Sequence, residues 1–321
     1  MKKYIVLKVI KAFIMIIFGA IFSFILFRIL PGDPAKALTG DPRLPLETKR
    51  VVYKMFGLDR PLHEQLFIFI YNLLTGNLGI SFQYKLPVSQ ILMEKLMNTL
   101  IFLIPATILS MLLGIFMGLI AGLFNGKLID KIITSIATLF WSTPSFWGGM
   151  VAILIFAIYM RLFPPGGMLS FYGTSPNLSN IGDLLWHLFL PMLTYGIIYS
   201  GQYTLILRNS LVEVLTEDFI KMAKAKGHTD FEVVMKYALR NASLGLVSMI
   251  GINVGYILLG SITIESVFNW PGIGRLLYDA VFYNDYPLLQ GIFILFIIVM
   301  VVSMLVVDIL YSYLDPRVRI K

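Results

Sequence analysis

The three histidines are the side chains of this 321-residue sequence best suited to binding a metal or moving a proton. His63, His187 and His228 lie in three different segments, without His, Asp or Glu partners at the spacing of metal ligands. The sequence contains no cysteine, which excludes disulfides, thiolate metal sites and cysteine nucleophiles. We therefore predict no metal site and interpret each histidine as an interfacial or surface residue.

The sequence also contains no good match to the phosphate-binding loop of ATPases. The closest candidate, residues 122–127 (GLFNGK), has the wrong glycine spacing, and Leu128 stands where Ser or Thr would hold magnesium. Two ionisable residues in or near apolar segments, Glu265 and Asp308, are predicted at opposite membrane faces, so they form no catalytic carboxylate pair. We expect no enzyme activity and no cofactor in this chain.

The composition is that of a membrane protein. Hydrophobic residues make up 58% of the sequence, charged residues 14%, and the mean hydropathy is +0.82, whereas soluble domains are roughly 45–50% apolar. Six apolar segments are near or above the ~20 residues that cross a bilayer: 9–30, 100–123, 132–160, 186–207, 243–265 and 288–312. The third is too long for one straight helix, and Pro144 with Gly148 and Gly149 predicts either a kink or an interfacial first half. We predict an all-α integral membrane protein with six transmembrane helices.

The distribution of Lys and Arg orients these helices. With both termini in the cytoplasm, fifteen basic residues lie inside and only two, Arg161 and Arg275, lie in the outer segments after the long first one. The first helix has no apparent cleavage site and is interpreted as an uncleaved span. The net charge of +8 therefore reflects topology and gives no argument for nucleic-acid binding. A multi-pass protein of the cell membrane is predicted.

A charge-rich stretch at 213–242 interrupts the apolar segments on the inner side. Thr216 is predicted to cap a short helix whose first turn carries Glu217 and Asp218, the charge sign that a helix N-terminus favours. Gly227 follows that helix where a left-handed residue belongs. The pattern predicts a helix, a glycine corner and a second helix.

The second helix of this stretch begins at Thr229, and Glu232 completes the pattern of a capping box. Three- and four-residue spacing gives the first helix a narrow apolar edge, formed by Phe219, Met222, Ala223 and Lys226. Such an edge could simply rest on the membrane interface.

Residues 218–227 (DFIKMAKAKG) and 236–242 (KYALRNA) resemble the cytoplasmic EAA loop of ABC importer permeases, in the form found in the dipeptide/oligopeptide/nickel family. Residues 221–223 (KMA) depart from Glu-Ala-Ala. Residues 142–147 (STPSFW) and 265–274 (ESVFNWPGIG) are also similar to this family, while residues 31–34 (PGDP) resemble its B-type permease. The resemblance implies the type I ABC importer permease fold, with 208–242 as the loop that couples to an ATPase. The implied coupling residues are Glu217, Asp218, Phe219, Met222, Ala223, Lys224, Ala225, Lys226 and Gly227.

The resemblance also implies a division of the chain and a set of partners. The divisions are a first transmembrane helix at 1–30, an outer segment at 31–99, a type I transmembrane core at 100–312 and a cytoplasmic tail at 313–321. The partners are a second, homologous permease, two ATPase subunits that bind ATP and magnesium, and an extracellular or periplasmic substrate-binding protein. Peptides are the expected cargo, with nickel chelates and oligosaccharides as alternatives. An ion-coupled secondary transporter is a more distant alternative that predicts an inverted repeat, and none is visible by eye.

Polar residues within the spans are candidates for a translocation path. Tyr195, Tyr199 and Gln202 share one helix face, and Asn253 and Tyr256 lie in the fifth segment. Hydrogen bonding between helices explains these residues equally well. In contrast, Gly114, Gly118 and Gly122 recur every four residues, which favours close packing of another helix.

An outer turn is predicted after the fifth segment. Pro271 and Gly272 force the turn, Trp270 anchors it at the interface, and Gly274 frees a short helix over 275–283. Glu265 precedes this turn, and we expect it to pair with Arg275 or Arg161 rather than to couple to protons.

Overall fold

A computed structural model describes residues 2–29, 60–170, 179–243, 246 and 261–314. The helices are α1 (Lys2–Ile29), α2 (Leu62–Leu74), α3 (Val88–Leu123), α4 (Leu128–Ser142), α5 (Ser145–Ala152), α6 (Ile181–Val214), α7 (Asp218–Ala225), α8 (Ile273–Phe282) and α9 (Tyr286–Leu314). Two π-helical segments, Ile153–Tyr159 and Val233–Ala238, continue α5 and the turn Asp230–Glu232. Residues 261–267 are also helical. The described residues contain no strand beyond one isolated bridge between Ile80 and Pro87, which confirms the all-α prediction.

Four described helices are long and apolar enough to cross a membrane, namely Ile5–Phe27, Val88–Leu123, Ile181–Val214 and Tyr286–Ile309. A fifth is obtained if α4 and the helix after it form one span, which bends by 99° at its break. The break follows Ser142 and confirms the kink predicted at Pro144. Most of the predicted span 243–265 lies outside the described residues, so the count of six stays a prediction.

The chain divides into two compact units, the first formed by Met1–Met97 with Gly272–Lys321 and the second by Asn98–Pro271. In the first unit α1 packs on α9. A Cβ on Gly19 would lie only 2.8 Å from Ile297 Cγ2, so the two helices approach closely where the side chain is missing. Lys8 Nζ lies 2.6 Å from Asp308 Oδ2. The first and last long helices of the chain are therefore neighbours.

Asp285 organises the other end of α9. This fully buried carboxylate accepts hydrogen bonds from the Leu288 N–H (3.2 Å), the Gln83 N–H (3.0 Å) and the Ser81 hydroxyl. It thereby caps α9 and fixes residues 79–88 against its first turn.

In the second unit α3 lies against α6 along the predicted glycine stripe. A Cβ on Gly114 would lie 2.8 Å from Ser200 O, and one on Gly118 would lie 3.0 Å from Thr204 O. At Gly122 the nearest atom would be Leu211 Cδ1, at 2.8 Å. The prediction that these glycines permit close helix packing is confirmed.

An apolar cluster of the second unit surrounds the C-terminal end of α6. Its buried members from α6 are Tyr203, Leu207 and Leu211, joined by Ile220, Ala223, Val233, Val234, Ala238, Ala242 and Leu246. The charge-rich stretch is thus attached to α6 through side chains excluded from water.

Candidate functional site

The corner element, defined here as residues 217–238, is held to α6 by one face of α7. Ile220 is fully buried and Ala223 is 4% exposed, and both belong to the apolar cluster that contains Leu207 and Leu211 of α6. The expected edge of Phe219, Met222, Ala223 and Lys226 is therefore only partly right. Phe219 packs against the cluster, but Met222 is 62% exposed and Lys226 faces solvent.

Sequence reasoning missed Ile220. Ile220 lies three residues before Ala223, and this helical spacing could have identified the two as one buried face. Spacing does not decide which of two overlapping edges faces the spans, because that depends on how the chain enters the helix. The buried edge of α7 therefore lies on the Ile220 side of the predicted one, because successive residues of a helix project about 100° apart.

The start of α7 also differs from the prediction. Thr216 does not cap the helix, since its hydroxyl donates to Glu213 O at 2.7 Å. Glu217 is the N-cap residue, has an extended backbone and makes no side-chain cap, and the helix begins at Asp218. Asp218 pairs with Lys221 at 2.8 Å on the exposed face. The first turn keeps one acidic residue, which favours the helix N-terminus.

Gly227 forms the predicted corner. Its φ is +88°, a left-handed conformation that favours glycine, and its N–H donates to Lys224 O at 2.9 Å. No heavy atom lies within 4 Å of where a Cβ would be. Backbone conformation, rather than crowding, is thus the reason for glycine here. Lys226, just before it, ends the helix, while Ala225 is exposed on its last turn.

The capping box after the corner is confirmed. The Glu232 N–H donates to Thr229 Oγ1 (3.3 Å), and the Thr229 N–H donates to Glu232 Oε2 (3.1 Å). The hydrogen bond from the Thr229 N–H, with that from its hydroxyl, lowers the pKa of Glu232. His228 Nε2 lies 3.0 Å from the Tyr237 hydroxyl, and this hydrogen bond joins the corner to the π-helical segment that contains Tyr237.

An ion pair closes the corner. Lys224 Nζ of α7 lies 2.8 Å from Asp230 Oδ1 of the following helical turn. The hydrogen bond and charge of Lys224 lower the pKa of Asp230, and the charge of Lys127 adds to this effect. Lys127 belongs to the loop between α3 and α4. That loop therefore lies close enough to the corner element for the Lys127 charge to act on Asp230.

A second polar cluster joins α4 to α6. We call Asn125, Gly126, Asp130 and Arg208 the arginine clamp. Arg208 Nε lies 3.0 Å from Asp130 Oδ1, and its Nη2 lies 2.7 Å from Asp130 Oδ2 and 3.0 Å from Asn125 Oδ1. The Gly126 N–H donates to Asp130 Oδ2 at 2.9 Å. Asp130 is only 3% exposed, so a buried carboxylate is satisfied by a bidentate guanidinium and a backbone donor.

The candidate path residues are only partly described. Tyr195 is 3% exposed, with its ring stacked 4.2 Å from that of Tyr199 and edge-on to Phe102 at 5.8 Å. Tyr199 and Gln202 are half-buried on the same helix. Asn253 and Tyr256 lie outside the described residues. Tyr195 packs in the protein interior, and a translocation role for this set stays a prediction.

The outer turn corrects one expectation. Trp270 is fully buried rather than an interface anchor, because its Nε1 donates to Asn98 O at 2.8 Å and its ring lies 6.0 Å from Phe102. Asn98 Nδ2 in turn donates to Pro271 O at 3.0 Å. These two hydrogen bonds fix the chain before Gly272.

The helix after the turn begins earlier than expected. Gly272 is its N-cap residue, and α8 covers Ile273–Phe282 with Gly274 buried inside it. Arg275 Nε lies 3.3 Å from Asp279 Oδ1 on the same helix. Glu265 is buried, and its pairing with Arg275 or Arg161 stays a prediction.

The histidines also differ from expectation in one case. His187 is 7% exposed rather than interfacial, and its Nδ1 lies 2.9 Å from Asp183 O one turn earlier. His228 and exposed His63 lie elsewhere. Across the described ranges, no group of three or more His, Asp or Glu side chains is placed to hold a metal ion.

Comparison with known proteins finds two related family models that together match most of the chain. The family model described as "Binding-protein-dependent transport system inner membrane component" matches residues 110–320. The model for the N-terminal part of such membrane components matches residues 1–103.

Individual relatives agree with the family models. The chain is 34% identical over 302 residues to the glutathione transport system permease protein GsiC of Salmonella typhimurium and 33% identical to that of Escherichia coli K12, covering 94% of both chains in each case. Among solved structures it is similar to a chain of the MetNI methionine ABC transporter in an inward-facing conformation. That match has a TM-score of 0.55 and 18% identity and covers 70% of this chain and 97% of the other, so it concerns the fold alone. This chain belongs to the family of binding-protein-dependent transport system inner membrane components and is a multi-pass inner-membrane permease of an ABC importer.

Proposed function

We propose that this permease imports peptides and that partner ATPase subunits dock on the corner element. The cargo class is supported by the relatives at 34% identity, which are named for transport of glutathione, itself a tripeptide. Nickel chelates and oligosaccharides are the alternative cargoes for the same architecture.

The docking proposal depends on the two faces of the corner element, one of which is buried against α6 while the other is exposed. Ile220 and Ala223 fix α7 to α6, while three large apolar side chains point away from the protein. Met222 is 62% exposed, Phe231 61% and Met235 43%. Apolar side chains exposed beside charged ones are typical of protein interaction sites, and methionine adapts well to a partner surface. The remaining proposed contacts of this face are Glu217, Asp218, Lys224, Ala225, Lys226 and Gly227.

The proposed mechanism follows from this attachment. Two ATPase subunits bind ATP and magnesium, close on each other and push on α7. Because Ile220 and Ala223 pack on Leu207 and Leu211, α6 moves with α7. A second, homologous permease subunit completes the path, and a loaded substrate-binding protein releases its cargo into the opened cavity. This chain thus supplies the path and the mechanical contact, while its partners supply the energy.

Docking is tested by copurification. An affinity-tagged chain expressed with its ATPase subunits should retain them, and Met222→Asp should lose most of them because it places a charge in an apolar contact. Phe67→Asp is the matched control, since it places the same charge at a side chain that is 73% exposed on α2, outside the corner element. Equal retention by wild type and Met222→Asp would contradict docking at this face.

Cargo and energy source are tested with the complete transporter in liposomes. Uptake of a labelled peptide should require ATP on the side of the liposome membrane that carries the ATPase subunits. It should continue after ion gradients are collapsed. Competition by glutathione and other short peptides, but not by nickel chelates or oligosaccharides, is the expected result. Uptake that persists without ATPase subunits would favour an ion-coupled secondary transporter.

A further inference from the structure

The arginine clamp lies on the same helical turn of α6 that supports the corner element. Leu207 and Leu211 pack against Ile220 and Ala223, while Arg208, the residue after Leu207, contacts Asp130. Successive residues of an α-helix project about 100° apart. One turn of α6 therefore holds the corner element on one side and the first turn of α4 on another.

The clamp fixes more than one ion pair. Arg208 bonds both oxygens of Asp130 and also Asn125, while Asp130 accepts the Gly126 N–H. Both the first turn of α4 and the loop before it are therefore tied to α6. Bidentate bonds between a guanidinium and a carboxylate are directional and strong, so they resist separation of the two helices.

A second contact joins the same two helices nearer the break. A Cβ on Gly201 of α6 would lie 2.9 Å from Trp141 N of α4. Gly201 and Arg208 are seven residues apart, which is about 10 Å along the helix. The Gly201 contact is one of close backbone packing, whereas the clamp is held by charged groups. The clamp thus adds a directional contact at the end of α6 that carries the corner element.

We propose that Arg208 and Asp130 are positioning residues that make α4, and the 99° bend after it, follow α6 when the corner element is displaced. This inference rests on the proposed docking of ATPase subunits on the corner element. Movement of the first turn of α4 is then transmitted along α4 to the bend after Ser142. Without the clamp, α7 still holds α6 through Ile220 and Ala223, so an ATPase can dock and hydrolyse ATP while α4 follows α6 less closely.

The experiment measures cargo moved per ATP hydrolysed by the complete transporter in liposomes. Arg208→Gln and Asp130→Asn should each keep the ATPase subunits and continue to hydrolyse ATP. Cargo per ATP should fall about tenfold, within the range of typical coupling between sites. Arg208→Lys keeps the charge but cannot form the two parallel hydrogen bonds of a guanidinium. Its cargo per ATP should therefore lie between those of the wild type and Arg208→Gln. Lys131→Gln is the matched control, because it removes a charge from the same turn of α4 without a bond in the clamp.

The double variant Arg208→Gln with Asp130→Asn separates transmission from simple stability. It removes both buried charges, so thermal stability should recover relative to Arg208→Gln alone. Cargo per ATP should stay low. Recovery of cargo per ATP together with stability would overturn the proposal, as would loss of the ATPase subunits from any clamp variant. Failure of the docking proposal looks different, because Met222→Asp would then retain the ATPase subunits as well as the wild type does.

Discussion

Gly227→Val is the substitution that most directly tests the corner. The φ of +88° at Gly227 is a conformation that β-branched residues resist, and no atom lies within 4 Å of the added Cβ. Within the chain itself, the expected effect is therefore one of backbone strain. A left-handed residue with a side chain costs about 1–2 kcal/mol, and valine should lie at or above the upper end. A strain energy of about 1–2 kcal/mol lowers the ratio of native to distorted corner by a factor of roughly 5–30.

Three substitutions at this position give a graded series. Asn tolerates left-handed backbone best and should be nearly neutral, Ala should be intermediate, and Val should be most severe. The assay is retention of ATPase subunits on the affinity-tagged chain, together with cargo moved per ATP in liposomes. Gly182→Ala is a matched control, because Gly182 also has open space around it and lies in the helix α6 without a positive φ.

Two results would refute this reasoning. Wild-type retention and coupling in Gly227→Val would mean that the left-handed corner is not required by the partner. Equal losses for Gly227→Asn and Gly227→Val would mean that any side chain at this position blocks the partner, so strain would not be the cause. Membrane insertion should be the same in all variants and is checked by the amount of chain in the membrane fraction.

Three further predictions concern other contacts. Ile220→Ala should destabilise the attachment of α7 by about 2–5 kcal/mol, because it empties a fully buried site, and faster protease cleavage within 217–238 would reveal it. Asp285→Ala should destabilise the first unit by about 1–3 kcal/mol, since it leaves buried donors unsatisfied; a melting curve in detergent measures this loss, and an unchanged curve would contradict it. The lowered pKa values of Asp230 and Glu232 mean that their stabilising contributions are complete above the ordinary values of 3.8 and 4.5 and are lost as the pH falls through the lower folded values. A spin label on Phe231→Cys, the only cysteine in the chain, should therefore keep constant mobility from pH 8 to 5 and become more mobile only in stronger acid.

Features that depend on one turn of chain could be predicted from the sequence. Gly227 and the Thr229 and Glu232 capping box were recognised because their hydrogen bonds join residues three apart. The break at Pro144 was also predicted from short-range chemistry, although Pro105 and Pro191 lie inside continuous helices. A proline therefore indicates where a break can form and does not by itself decide that it forms.

Features that join distant segments could not be predicted in this way. Asp130 and Arg208 are 78 residues apart, and Ser81 and Asp285 are 204 apart, so no spacing rule connects them. Trp270 looked like an interface residue because tryptophan favours that position, but its N–H has a backbone partner 172 residues away that allows burial. Which edge of α7 is buried is likewise decided by α6, and the sequence of α7 alone permits both edges.

The packing of α1 on α9 sets an order on the biosynthesis of this protein. Lys8 and Asp308 are separated by 300 residues, so at about 5–20 residues per second the ribosome needs roughly 15–60 seconds to make the second after the first. During that interval the groove at Gly19 has no Ile297 to fill it. The first unit is therefore incomplete for most of translation, and a chain truncated before its last helix cannot complete it.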